Sequence, residues 1–427
     1  MTTRTYTTAE LTTGHCRCAS PLTVERRLRI AYIVSRFPHV SETFIVRELN
    51  ALSALDAIEI ELFRLFPARS PVLHPAAAIW VDRLRRPSLF SAGNDFGWWM
   101  VHRPLRLAGS VLRVVTSTIH APRILVRALV TMLLAAGQAR RFLGLGIDHV
   151  HAHFATYPAL AAWFSSRLTG IPYSFTAHAH DLYVDQSLLE RKVHDARFVV
   201  TVSDFNRRFL SRYAAGGTPV HVVRCGIDPS SYAFRPRRPP TSGRVRALCV
   251  ASLQEYKGHR VLFEALARGG AHIDRIELEL VGDGPLRRPL EVLALELGIA
   301  PRVRFLGSLT EPEVIALLGC VDLFVLPSLV ARNGQMEGLP VAVVEALACG
   351  VPVVATRLSG LSEILADESV GILAEPDDVE SLREALERVI ADRTALKPEA
   401  GRQLVETEFN VHQSALRLAD LFTGSGL

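Results

Sequence analysis

The chain is 427 residues long and 49% hydrophobic, enough for two α/β domains with separate cores, since a single core stops growing near roughly 250–300 residues. Its 48 Lys and Arg against 43 Asp and Glu leave a net charge of +5, too slight an excess for a nucleic-acid binder but compatible with phosphate ligands or an anionic membrane surface. Six scattered cysteines, Cys16, Cys18, Cys225, Cys249, Cys320 and Cys349, argue against a disulfide framework and for reduced thiols in a cytoplasmic compartment.

Residues 1–28 are Thr-rich and polar and lack the apolar core of about 7–15 residues that a secretory signal needs. A disordered tail is expected, and His15, Cys16 and Cys18 have no second ligand pair at zinc-site spacing. Arg29–Ser35 (RIAYIVS) reads as a buried first strand, with Pro38 in the loop after it. A helix is expected to begin near Ser41, with Ser41, Glu42 and Thr43 at its amino end. These three residues either cap the helix or present hydroxyls and amides to a ligand on the acceptor side of a cleft.

Residues 83–141 mix Arg85, Arg86, Arg103, Arg106, Arg113, Arg123, Arg140 and Arg141 with Trp98, Trp99 and aliphatic residues. They read either as ordinary helices with solvated arginines or as an interfacial amphipathic surface. The apolar stretch Ile124–Ala136, interrupted by Arg127, falls short of the roughly 20 residues that span a bilayer. Further strands are expected at Asp148–Ala152, Tyr173–Ala177, Phe198–Val202 and Val220–Arg224, completing a first domain over 29–234. His151 and His153 are read as alternating at a strand end, so that only one can face a pocket. Both are assigned to first-domain structure or the acceptor side.

Residues 235–243 (RPRRPPTSG) resist helix and strand and are expected to form the hinge. Strands then recur at Arg246–Ser252, Ile276–Val281, Val303–Leu306, Leu323–Leu326 and Val351–Ala355, with helices at Val261–Ala267, Pro285–Leu297, Glu311–Leu318 and Val341–Cys349. A second doubly wound sheet over 244–400 is the economical reading. Residues 401–427 are expected to form a helix packing back on the first domain.

The most informative segment is PSLVARNGQMEGLPVAVVEALACGVPVVAT, 327–356, where Glu337 and Glu345 are separated by seven residues. Gly338 and Pro340 make the entry to a helix that Gly350 can close. Both carboxylates and the helix's amino end are then expected at the carboxyl edge of the sheet, where open α/β sheets bind ligands. A carboxylate accepts two hydrogen bonds from a vicinal diol, so Glu345 suits a ribose and Glu337 a sugar's hydroxyls, while amides near Gly338 and Leu339 suit anionic or hydroxyl oxygens.

EGLPVAVVEALACGVPVVAT, with SRFPHVSETF, HAHF, FTAHAHDLY, ASLQEYKGH and VGDGP, resembles the E-x7-E family four of retaining glycosyltransferases, and leans towards bacterial enzymes of the colanic-acid, exopolysaccharide type. The resemblance spans roughly residues 29–400. It implies the GT-B architecture, two Rossmann-like domains facing a central cleft, and retaining transfer from a nucleotide-diphosphate sugar to a saccharide acceptor; the basic, Trp-containing region leads us to expect a lipid-linked acceptor and a place at the inner face of the plasma membrane. It matches Lys257 to a lysine that neutralises the donor diphosphate, and His178, in T-x-H with Thr176, to a histidine near the transfer centre. His180 and Asp181 stand beside it on the acceptor side. Gly282 and Asp283 fall in a turn beside the nucleotide base. Where the family usually carries an arginine the chain has Ser252, so either Ser252 donates a neutral hydrogen bond or another cation substitutes, Arg332 being the candidate. No D-x-D ends a strand, so no cofactor or metal is expected, and cations and helix amides take the metal's electrostatic role. Three other readings stay open: a two-domain sugar-nucleotide epimerase, a non-catalytic nucleotide-sugar binder, and an NAD-dependent dehydrogenase. The lack of G-x-G-x-x-G after the strands at Arg29–Ser35 and Arg246–Ser252 counts against the last.

Overall fold

The structure, a computed structural model, describes residues 26–424 except 39–42, 69–74, 87, 215–216, 238–239, 241, 393 and 395. Two parallel sheets of six strands organise it. The first holds β1 (Leu28–Arg36), β2 (Ile58–Phe66), β3 (His149–His153), β4 (Tyr173–Ala177), β5 (Phe198–Thr201) and β6 (Val220–Val222) in the order β2-β1-β3-β4-β5-β6. The second holds β7 (Val245–Val250), β8 (Ile276–Val281), β9 (Val303–Gly307), β10 (Leu323–Leu326), β11 (Val353–Thr356) and β12 (Ile372–Ala374) in the order β12-β11-β10-β7-β8-β9. Strand order reverses beside β1 in one sheet and beside β7 in the other, so loops diverge there and leave a crevice at the carboxyl ends.

Two strands escape a reading by apolar runs. β2 (IEIELFRLF) is the last strand of its sheet, paired with β1 and bridged on its other side by Arg85, and its charges break the run: Glu59 accepts from Arg29 at 2.8 Å and Glu61 from Arg85 at 2.7 Å. β12 has three residues, too few to carry a period.

The arginine-rich region folds into helices Leu89–His102, Pro104–Thr118 and Pro122–Leu145. Trp99 is buried and donates its indole N–H to the Ala136 carbonyl at 3.0 Å. The last helix runs 24 residues with a mean hydropathy of 1.2, long and apolar enough by composition to cross a membrane. It exceeds the thirteen-residue apolar stretch because it continues past Ala136 through Ala139 and Phe142, both in the first lobe's core. Half of its apolar window is buried in the protein, as in a core helix.

The Pro-rich segment is docked on the second lobe: Arg235 N–H donates to the Cys349 carbonyl and Arg237 N–H to that of Gly350. The chain crosses between lobes earlier, where Ile227 bridges the returning chain at Asn410. Gly226 is required there, because a Cβ would lie 2.5 Å from Val411 N and 2.7 Å from Phe409 O. The carboxyl-terminal segment is two helices. Pro398–Glu408 packs on Val341–Cys349 of the second lobe, and Val411–Thr423 returns to the first lobe against Thr43–Ser53. Phe422 anchors this return between His149, His151 and Phe198, with ring centroids at 5.3, 5.1 and 5.9 Å. Phe422→Ala should therefore cost about 3–5 kcal/mol in urea unfolding; a loss below 1 kcal/mol would show that the last helix does not dock on this sheet.

Candidate active site

The second lobe's half of the cleft is built by close backbone approach. Gly282 (φ +133°) and Gly284 let the loop after β8 lie on the loop after β7: a Cβ would come 2.0 Å from Ala251 O at the first and 2.5 Å from Leu253 O at the second. Gly258 (φ +70°) lies against β10's loop, where a Cβ would meet Pro327 O at 1.7 Å. That packing aims Lys257 inward, and its ammonium donates to the Glu337 carboxylate with only 12% and 11% of the two side chains exposed. Burial pulls the Lys257 pKa down, but Glu337 outweighs it and holds the ammonium above its usual value, hence charged.

Glu337 and Gly338 are held by their carbonyls: Ser359 Oγ donates to both at 2.5 and 3.3 Å, and Gly360 N–H to Gly338 at 3.1 Å. The amides of Gly338 and Leu339 have no acceptor among the described residues. The helix Val341–Cys349 buries Val343, Val344, Ala346 and Leu347 and ends at Gly350 (φ +76°), which leaves Glu345 on the other face. Glu345 Oε1 accepts from Arg47 Nη2 at 2.7 Å and from the Tyr232 hydroxyl at 3.0 Å. Arg47 also donates to Glu311 at 2.6 Å, and its Nη1 is buried without a partner. Burial lowers the Arg47 pKa while Glu345, Tyr232 and Glu311 raise it, and the attractions win. Burial, then Glu345, pushes the Tyr232 phenol up.

From the first lobe, His178 meets this rim: a Cβ on Gly338 would lie 3.1 Å from Ala179 Cβ and 3.7 Å from the His178 backbone. The His178 ring is packed by Phe44, Phe154 and His153, with centroids at 4.7, 5.0 and 5.5 Å. Phe154 takes a left-handed backbone (φ +77°) at the end of HAHF, a conformation costly for a residue with a side chain. Burial, then His153, holds His178 well below the ordinary histidine pKa. Glu363 of the second lobe adds a contact, accepting from the Asp204 and Phe205 amides at 2.9 and 2.7 Å.

The structure thus brings together Lys257, Glu337, Gly338, Leu339 and His178, pairs Glu345 with Arg47 and Tyr232, and redistributes the rest. Arg332 stands in solvent, 95% exposed and 3.6 Å from Glu255, so it does not join the buried charges. Ser252 is half-buried beside Gly282. Asp283 binds its own turn through Gly284 N–H at 2.7 Å. His180 is exposed, whereas Asp181 is buried and pins two loops by accepting from Ala155 N–H at 2.6 Å and His178 N–H at 3.0 Å, a structural duty instead of an acceptor contact. Ser41 and Glu42 lie outside the described residues, and Thr43 opens its helix half-buried. His151 and His153 share one face, as residues two apart on a strand must; both rings lie on Tyr32, at 4.9 and 5.4 Å, so the expectation of opposite faces was mistaken. Their ligand atoms and those of Glu48 lie within 4.8 Å of one another, but His151 is hydrogen-bonded to Ser174 and Thr176, and His153 to Glu48 and His178. Arg47, Tyr232 and Glu311 escaped the sequence because each reaches the site from a different element, with no shared spacing.

The buried histidines make stability depend on acid. Burial, then Arg197, holds His149 down to about 3, and burial, then His153, lowers His151 strongly. The unfolded chain takes up protons below about pH 6.5 that these folded rings refuse, so their contribution is complete above that pH and shrinks as pH falls towards about 3. Each ring should cost on the order of 1–2 kcal/mol between pH 6.5 and 5. Urea midpoints at the two pH values measure it; equal midpoints would mean that the rings are not buried neutral.

Residues 92–231 match the family model Glycosyltransferase Family 4, and residues 233–406 match Glycosyl transferases group 1. The amylovoran biosynthesis glycosyltransferase AmsK of Erwinia amylovora is 33% identical over 225 residues, 51% of this chain and 54% of that protein. The putative colanic acid biosynthesis glycosyltransferase WcaL of Escherichia coli is 30% identical over 52% of this chain and 55% of its own length. The chain thus spans about half the length of these two relatives. The GDP-mannose-dependent alpha-(1-6)-phosphatidylinositol monomannoside mannosyltransferase of Mycolicibacterium smegmatis is 30% identical over 264 residues, 58% of this chain and 69% of that protein. Among solved structures, Anabaena HepE in complex with UDP and glucose superimposes with a TM-score of 0.68 at 17% identity, covering 93% of this chain and all of that one. Sucrose-phosphate synthase from Thermosynechococcus elongatus does so with 0.68 at 20% identity, covering 93% and 99%. With two Rossmann-like domains in the GT-B arrangement, the chain belongs to the family-four, group 1 glycosyltransferases.

Proposed function

We propose that the chain transfers a hexosyl group, with retention of configuration, from a nucleotide-diphosphate sugar to a saccharide acceptor in the synthesis of a bacterial exopolysaccharide or cell-surface polysaccharide. One observation carries this reading: a buried ammonium, Lys257, paired with Glu337 beside the unpartnered amides of Gly338 and Leu339 and against His178 of the facing lobe. A buried cation beside free N–H donors suits a diphosphate leaving group, whose charge grows as the glycosidic bond breaks. A relative named as GDP-mannose-dependent and a structural neighbour solved with UDP-glucose support the donor class.

In this mechanism the diphosphate draws Lys257 away from Glu337, whose freed carboxylate accepts from the sugar's hydroxyls. Glu345 keeps Arg47 and Tyr232 on Oε1 and takes the ribose hydroxyls on Oε2. The acceptor hydroxyl attacks the anomeric carbon on the face that the diphosphate leaves. The bond from that carbon to the phosphate oxygen breaks, the oxygen takes the hydroxyl proton, and a glycoside and a nucleoside diphosphate result. Lys257, the two amides and Ser252 as a neutral donor supply the stabilisation without a metal. Closure of the lobes excludes water that would otherwise hydrolyse the donor.

Glu345→Ala should weaken donor binding about 10–100-fold through loss of a charge-assisted contact. A thermal-shift series of nucleoside diphosphates and their sugars reads it; unchanged donor affinity in a folded variant removes the ribose role. Incubation with labelled donor alone separates transfer from epimerisation, since only an epimerase alters the sugar.

We further propose that the acceptor is lipid-linked and that the three-helix region rests on an anionic membrane at the cytoplasmic face. Of the sixteen exposed large hydrophobic residues among those described, ten lie within 89–145, including Phe90 at 82% and Leu105 at 87% exposure. In the same span stand seven arginines and a lone acid, Asp95, which Arg140 neutralises at 2.6 Å. Apolar area with attraction to lipid phosphates is the composition of a peripheral surface. Leu105→Asp with Leu112→Asp should reduce co-sedimentation with phosphatidylglycerol vesicles about tenfold or more while leaving donor affinity unchanged. Equal sedimentation of variant and wild type would contradict the surface.

A further inference from the structure

Four polar side chains run in single file from the first lobe's core to the cleft. The Tyr32 hydroxyl of β1 donates to Glu48 Oε1 on the helix Thr43–Ser53. His153 Nε2, at the end of β3, lies 2.8 Å from the same oxygen. His153 Nδ1 in turn lies 3.2 Å from His178 Nε2, and His178 abuts Gly338 across the cleft. We infer that Glu48 and His153 are positioning residues that fix the tautomer of His178, so that it meets the bound donor with Nδ1 as an unprotonated hydrogen-bond acceptor. The inference rests on the reading of His178 as a group that touches the transferred sugar.

The direction of the file follows from what each group can do. An ionised carboxylate only accepts, so the proton on the Glu48 side of His153 sits on Nε2. A neutral imidazole with Nε2 protonated has a lone pair on Nδ1, and that lone pair must receive a proton from His178 Nε2. His178, neutral in its turn, then carries its lone pair on Nδ1, an atom with no partner among the described residues. The His153 ring is wholly buried and stacked at 19° on that of His178, so neither ring can rotate without losing its neighbour. An acceptor nitrogen there suits a sugar hydroxyl as donor; a protonated Nδ1 would instead meet that hydroxyl as a second donor. The HAHF segment thereby gains a purpose: the two strand residues share a face, and the second is the joint between Glu48 and the cleft.

Nitrogen-15 NMR of the full chain labelled at histidine reads the tautomer directly, with His178→Gln and His153→Asn identifying the two rings. In the wild-type protein both rings should give neutral signals with Nε2 protonated. His153→Phe keeps a ring in the stack but removes the acceptor, and should scramble the His178 signals and lower kcat about ten- to a hundredfold, as loss of an orienting partner does, with the KM for donor unchanged. His153→Asn, whose amide oxygen reproduces the Nδ1 acceptor, should recover most of kcat. A wild-type His178 protonated at Nδ1, a doubly protonated His153, full activity in His153→Phe, or no recovery in His153→Asn would each overturn the relay. Turnover surviving His178→Ala would instead overturn the parent reading of His178.

Discussion

Arg47 is the charge on which the joint between the lobes turns. It leaves the first lobe on the helix Thr43–Ser53 and ends between Glu345 and Glu311 of the second lobe, with 14% of its side chain exposed. Taking such a group out of water costs several kcal/mol, and only close carboxylates with good geometry offset it. The two lobes therefore share a charge whose carboxylate partners both lie on the lobe opposite its own helix. The carboxylate it grips belongs to the E-x7-E segment, so the geometry of the joint and of the proposed donor site are one problem.

The next residue on that helix, Glu48, points back into its own lobe towards His153 and His178. Neighbouring residues on a helix are turned by about 100°, so one element can grip the opposite lobe with Arg47 and orient a cleft histidine with Glu48. Movement of the helix would disturb both. The return of Val411–Thr423 against the same helix, anchored by Phe422, adds weight to its position. Conformational changes that accompany donor binding are thus expected to pass through this helix and not through the Pro-rich segment, which is bound to the second lobe at Arg235 and Arg237.

On the donor side the controlling feature is backbone proximity. Gly258, Gly282 and Gly284 let three loops close to distances that a Cβ would forbid, and the result is a lysine with nowhere to point but into the cleft. Lys257 and Glu337 neutralise each other there, with 12% and 11% of their side chains exposed. The proposed diphosphate would replace one partner of that pair, without the cost of stripping water from two separate ions.

Much of this was legible in the residues alone. Buried parallel strands announce themselves as apolar runs, so Tyr173–Ala177, Ile276–Val281 and Leu323–Leu326 could be placed to the residue, and the two-lobed fold followed from motifs local in sequence, which also singled out Glu337, Glu345, Lys257 and His178 as candidates. The edge strand β2 was hidden because Glu59, Glu61 and Arg64 interrupt its apolar run. What no local pattern contains is a partnership between distant elements. Arg332, next to the motif in sequence, turns out to face solvent, while Arg47, almost 300 residues from Glu345, reaches it. Spacing along the chain determined which side chains each loop and helix offers; only packing, through the close approach of backbones and the cost of burying charge, decided which of them meet.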